Sequence, residues 1–122
     1  MSFEKITGGV TSAKGYQAAA VAAGIKKRNS TKKDLAIVYS NQPAAVAGVF
    51  TQNKFAAAPV EWCRKMIAGG KAQAVVFNSG NANACTGVAG YEDAVKMAAM
   101  VAQALHIDEN QVGVASTGVI GH

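Results

Sequence analysis

Two prolines, two cysteines, two histidines and one tryptophan occur in 122 residues, and no apolar run approaches the length needed to cross a bilayer. So few cysteines exclude a disulfide framework. Cys63 and Cys85 also stand too far apart for a local metal-ligand pair, and reduced thiols are the expectation. His106 and His122 have no partner at ligand spacing, so no metal site is assigned. Neither GxxxxGK[ST] nor GxGxxG occurs, which leaves a phosphate-cradling nucleotide site without support. Ser79, framed as NSGN, lacks the G-x-S-x-G elbow, and neither histidine identifies itself as its base. The opening residues, with Glu4, Lys5, Gly8 and Gly9, lack the apolar stretch of a signal peptide, so a soluble, cytoplasmic protein is expected.

What is present is a half-hydrophobic chain of a length suited to one modest domain, residues 1–122. Its formal charge of +5 is local: Lys26, Lys27, Arg28, Lys32 and Lys33 hold five of the twelve bases. Without that stretch, seven basic residues face seven acidic ones, an ordinary surface balance. The basic run has no interleaved aromatics on which nucleobases would stack, so nucleic acid is not an expected partner. A solvated loop between two strands accounts for it better than an anion-attracting patch.

The stretch Tyr16 to Ile25 reads as extended chain, and Leu35 to Tyr39 as a buried strand. Asn41, Gln42 and Pro43 then mark a turn, and Val46 to Thr51 a second strand-like run, which together suggest a hairpin or neighbouring pair. Pro59 suits the first turn of a helix over Val60 to Ile67, ended by Gly69 and Gly70. Ala74 to Phe77 is the next strand. Tyr91, Val95, Ala98, Ala102 and Leu105 recur at helical spacing, with Glu92 and Asp93 placed for a first turn and Met97 and Met100 as core filler. Val112 to Ala115 is a last strand. Strands alternating with helices indicate a layered α/β arrangement.

Two small-residue stretches follow buried strands, Asn78 to Gly87 (NSGNANACTG) and Ser116 to Gly121 (STGVIG), where sheet proteins hold ligands on a rigid base. In the first, asparagines that satisfy their own backbone through Asx-turns explain the composition better than substrate binding does. In the second, a Thr117 hydroxyl beside a Gly118 amide is the donor pair an oxyanion hole requires, although composition alone favours a plain turn. Residue spacing alone goes no further than an α/β domain with two such loops.

These loops and their surroundings resemble the ornithine acetyltransferase (glutamate N-acetyltransferase) family, in GVTSAKGYQAAAVAAGIK, DLAIVYSNQPAAVAGVFTQN, AAPVEW, VVFNSGNANACTG and VASTGVIG, in order over nearly the whole chain. The resemblance implies a precursor that cuts itself before a threonine, giving an α chain and a β chain whose N-terminal threonine is the nucleophile, with its α-amine as local base. It implies an acyltransferase of arginine biosynthesis that moves an acetyl group from N-acetylornithine to glutamate by a ping-pong route, without metal or organic cofactor. Members differ in whether acetyl-CoA is also a donor, and that remains open. Carried over by position, the oxyanion-hole pair falls on Thr117, through its hydroxyl, and Gly118, through its N–H.

The implied fold is a four-layer αββα sandwich with mixed sheets shared between α and β chains, in an α2β2 heterotetramer. Residues 1–122 are then an incomplete α chain, with the nucleophile, the cleavage junction and most substrate-binding residues outside it. Two other readings stay open: a self-processing N-terminal-nucleophile aminopeptidase, and a non-catalytic anion-binding module using the basic loop 26–33.

Overall fold

In the computed structural model, which describes residues 1–122, four strands form one mixed sheet in the order β1-β2-β3-β4. Strands β1 (Tyr16–Val21), β2 (Leu35–Ala45) and β3 (Lys71–Asn81) pair antiparallel, and β4 (Val112–Val119) runs parallel to β3. A parallel neighbour demands a crossover, supplied here by helix α2 (Gly87–Leu105). Helix α1 (Ala58–Met66) links β2 to β3. Pro59 sits in its first turn with Glu61, and Arg64 and Lys65 in its last, so charge and dipole agree at both ends.

Alternation along the strands assigns their two faces. Ala74, Val76, Val112 and Val114 are buried against Ala58, Trp62 and Met66 of α1 and against Ala94, Ala98, Val101 and Ala102 of α2. Three of these four α2 residues are alanines, which lets the helix axis come close to the sheet. The Trp62 indole N–H donates to the Val112 carbonyl at 2.8 Å, tying α1 to the start of β4. The other sheet face, with Ala36, Val38, Val75, Phe77 and Ala115, carries no layer, and Phe77 is 39% exposed. The α/β class is as expected, with these residues forming one mixed sheet and one helical layer.

Several boundaries differ from the expectation, each for a physical reason. Asn41, Gln42 and Pro43 do not form a turn but lie within β2, where the register jumps from Tyr39↔Ala74 to Ala44↔Ala72. Turn residues thus produce a bulge, where the missing N–H of proline costs no ladder bond. Val46 to Thr51 is not a strand, and the expected pairing with β2 is closed to it, since β1 and β3 occupy both edges of β2. It runs past α1 instead, with Arg64 5.8 Å over the Phe50 ring and donating to the Thr51 carbonyl.

Helix α2 starts at Gly87, four residues before Tyr91, so Glu92 and Asp93 fall beyond its first turn. Met97 packs against the core as expected, whereas Met100 is 62% exposed and is not core. His106 ends the helix in the left-handed conformation (φ 56°), its N–H returned to the Ala102 and Gln103 carbonyls.

Replacing Trp62 by Phe keeps most of the apolar contact but leaves the buried Val112 carbonyl without its donor. We expect a loss of about 1–3 kcal/mol, read as a lower urea midpoint with an unchanged slope. An unchanged midpoint would show that this bond does not hold α1 to β4.

Candidate functional site

The two stretches expected as loops are, in their first halves, continuations of β3 and β4. Asn78↔Ser116, Ser79↔Thr117, Gly80↔Gly118 and Asn81↔Val119 extend the parallel ladder, so the polar residues sit on paired strand rather than on free turns. Pairing explains the difference: each stretch supplies the other's hydrogen-bond partners, which no single stretch reveals.

Beyond Asn81 the first stretch is a self-satisfied loop. Asn81 Oδ1 accepts from the Asn83 N–H at 2.7 Å, the Asn78 side chain donates to the Asn81 carbonyl at 2.8 Å, and the Asn83 side chain donates to the Gly90 carbonyl at 2.7 Å. Thr86 Oγ1 closes the group on Asn83 Oδ1 at 2.6 Å. Asn83 and Thr86 thus anchor the start of α2, while Asn78 and Asn81 brace the loop itself.

The end of β4 is different. Alternation puts Ser116 on the helix side of the sheet and Thr117 on the open side, level with Ser79. Ser116 Oγ is buried without a hydrogen-bond partner, beside a cleft of about 730 Å³ that Asn78, Asn83, Asp93 and Met97 also line. The exposed Thr117 borders a smaller hollow of about 290 Å³ with Phe77, Ser79, Lys33 and Asp34.

The direction of the Gly118 N–H follows from the ladder. Ala82 N–H donates to the Val119 carbonyl at 2.9 Å, which sets the phase of pairing and turns the Thr117 carbonyl, two residues earlier, towards β3 as well. A trans peptide carries its N–H opposite its C=O, so the Gly118 N–H points to the other side. That side is the unpaired edge of the sheet, since β4 is its last strand. The Thr117 hydroxyl and Gly118 N–H therefore stand side by side at one corner of the sheet, one on its open face and one on its open edge.

The basic stretch is a loop between β1 and β2, as expected, and its residues frame a hollow of about 570 Å³. Asp34, at its end, was not singled out by the sequence, because a lone aspartate beside lysines reads as a surface charge. It is buried, and its carboxylate accepts from the N–H groups of Ala23 and Ile25, each at 2.7 Å, and of Lys26 at 3.2 Å. The Ala23 donor above all, with those of Lys26 and Ile25, holds its pKa below the ordinary 3.8 against the opposing effect of burial. Cys63 and Cys85 are both free; the Cys63 thiol meets the Val114 backbone, donating to its carbonyl at 3.3 Å. His106 lies in the α2 cap, away from the β4 end, and the His122 carbonyl accepts from the Asn81 side chain.

Residues 17–122 match the ArgJ family. The arginine biosynthesis bifunctional protein ArgJ of Bifidobacterium longum is 55% identical over 92% of this chain and 29% of its own length. That of Gloeobacter violaceus is 55% identical over 98% of this chain, again 29% of its own. The chain thus spans less than a third of these relatives. Among solved structures, ArgJ of Bacillus halodurans superposes with a TM-score of 0.88 at 47% identity, covering 94% of this chain and 59% of that one. Ornithine acetyltransferase of Mycobacterium tuberculosis, solved with ornithine, also gives 0.88, at 48% identity, covering 93% and 61%.

The depressed pKa of Asp34 yields a pH dependence with a definite sign. Its contribution to stability is complete above the unfolded aspartate value and is lost as pH falls through the lower folded value. Asp34→Asn should unfold at lower urea than the native chain near neutral pH, and the gap should close in acid. An equal gap at about pH 7 and about pH 2 would exclude the carboxylate charge as its source.

Proposed function

The chain belongs to the ArgJ family, and from that membership we propose that it forms part of a cytoplasmic acetyltransferase of arginine biosynthesis, moving an acetyl group from N-acetylornithine to glutamate. The observation that carries the proposal for its own residues is the corner at the end of β4, where an exposed Thr117 hydroxyl adjoins a Gly118 N–H directed away from β3. When a nucleophile adds to an acetyl carbonyl, charge develops on the carbonyl oxygen. Two donors already in place stabilise it without reorganising, and the rigid ladder behind them keeps them there.

In this reading the nucleophile is the N-terminal threonine of a β chain released by self-cleavage, its α-amine taking the hydroxyl proton. Threonine oxygen bonds to the acetyl carbon, the amide C–N bond of N-acetylornithine breaks, and ornithine leaves with the proton. Glutamate's amine then attacks the acetyl ester, giving N-acetylglutamate and regenerating the threonine. The oxyanion forms and collapses in each half-reaction, so one donor pair serves both, and the chemistry asks for no metal or organic cofactor. Acetyl-CoA would enter, where used, as a second donor to the same threonine.

The bare sheet face bearing Thr117 supports a site completed by further layers, in keeping with α and β chains assembled as α2β2. An aminopeptidase of similar self-processing chemistry is less well supported, since a relative matched at 48% identity is described as an ornithine acetyltransferase. For an anion-binding module, the basic loop offers positive charge but no observation of its own beyond that.

The test is Thr117→Ala in the full-length, self-cleaved protein. We expect kcat for acetyl transfer to fall on the order of a hundred- to a thousandfold with KM nearly constant, since the donor acts on charge present only in the transition state. A variant that keeps full kcat would remove Thr117 from this role.

A further inference from the structure

A backbone N–H stabilises an oxyanion only if something fixes its direction, and around Gly118 the packing leaves one candidate. Gly118 has φ of +136° and faces Gly80, with φ of +132°, directly across the parallel ladder. A Cβ on Gly118 would lie 2.5 Å from the Gly80 carbonyl oxygen and 2.6 Å from the Asn81 nitrogen. A Cβ on Gly80 would lie 2.9 Å from the Lys26 nitrogen and 3.0 Å from its Cα. The two glycines and the Lys26 backbone are thus stacked with no room for a methyl group at either contact. Both glycines also adopt a backbone conformation that L side chains rarely reach.

The outer end of this stack is held by a charge. Asp34 takes the N–H groups of Ile25 and Lys26 on its carboxylate, and the Ser79 N–H donates to the Asp34 carbonyl at 2.9 Å. One residue therefore ties the segment behind Gly80 to the strand that contains Gly80.

We propose that Gly80, backed by Asp34, is a positioning residue for the Gly118 N–H, acting through the backbone contact between β3 and β4. The proposal deepens the reading of Thr117 and Gly118 as an oxyanion hole and rests on it. Neither residue touches the reacting carbonyl. Gly80 sets how closely β3 and β4 approach at the level of the Gly118 peptide, and Asp34 keeps the 25–26 backbone closed over Gly80.

The experiment compares three variants of the full-length, self-cleaved protein: Gly80→Ala, Thr117→Ala and Gly113→Ala. Gly113 lies in β4 ahead of the site, and a Cβ there would press on Met66 and Val75 side chains at 3.3–3.4 Å, so its substitution crowds the same strand away from the contact between Gly80 and Gly118. If Gly80 positions the donor, Gly80→Ala lowers kcat on the order of a hundredfold at nearly constant KM, as expected for misplacement by about an ångström, while Gly113→Ala keeps its kcat whatever it loses in thermal stability.

Full kcat in Gly80→Ala beside a crippled Thr117→Ala would overturn the positioning role and leave the oxyanion hole standing. Equal losses in Gly80→Ala and Gly113→Ala would reduce the effect to general destabilisation and overturn it too. Full kcat in Thr117→Ala would sink the parent reading, and the inference with it. Should Gly80→Ala fail to fold, Asp34→Asn, which adds no atom to the stack, decides: reduced kcat at constant KM supports the role and unchanged kcat refutes it.

Discussion

The contact between Gly80 and Gly118 is the constraint on which the rest of the site depends. Parallel strands pair only if something carries the chain back to the same end of the sheet, and α2 does so over nineteen residues. The alanines of α2 let it lie close to the sheet, where β3 and β4 pair in parallel from Ala74↔Val112 to Asn81↔Val119. Were side chains present at positions 80 and 118, the ladder would have to open where it now reaches Asn81↔Val119. The Gly118 N–H would then lose the rigid backing that makes it a defined donor rather than a mobile one.

The helices were legible from the sequence because their signals are local: Pro59 at the entry, glycines at the exit of α1, and apolar residues at helical spacing in α2. Strand existence was legible for the same reason, from the short apolar cores Leu35 to Tyr39, Ala74 to Phe77 and Val112 to Ala115. Strand extent was not. Glycine, asparagine and serine read as turn formers when each stretch is taken alone, and only the pairing of residues 78–81 with 116–119 makes them strand. The proline of β2 misled in the same way, since a bulge and a turn draw on the same residues.

Of the proposed site, Thr117 and Gly118 were placed by resemblance to a family, and the geometry adds what resemblance lacks, a direction for each donor. Alternation along β4 divides Ser116 from Thr117: one hydroxyl is buried on the helix side, the other presented to the face where no layer lies. A shift of one residue in register would exchange them. The parallel register is therefore as much a part of the proposed chemistry as the residues are, and Asn83 and Thr86 of the neighbouring stretch secure the start of α2 behind it.

Asp34 shows why the basic loop is better understood by its anchor than by its charge. Five bases within eight residues attract notice, yet all five are exposed. The single buried carboxylate gathers three backbone N–H groups from the start of that loop and fixes them beside Gly80. Its cost of burial is offset by those donors, which is why its pKa falls rather than rises. A charge buried for structure and a cluster exposed for solvation thus lie in one loop, and it is the buried one that connects the loop to the end of β4.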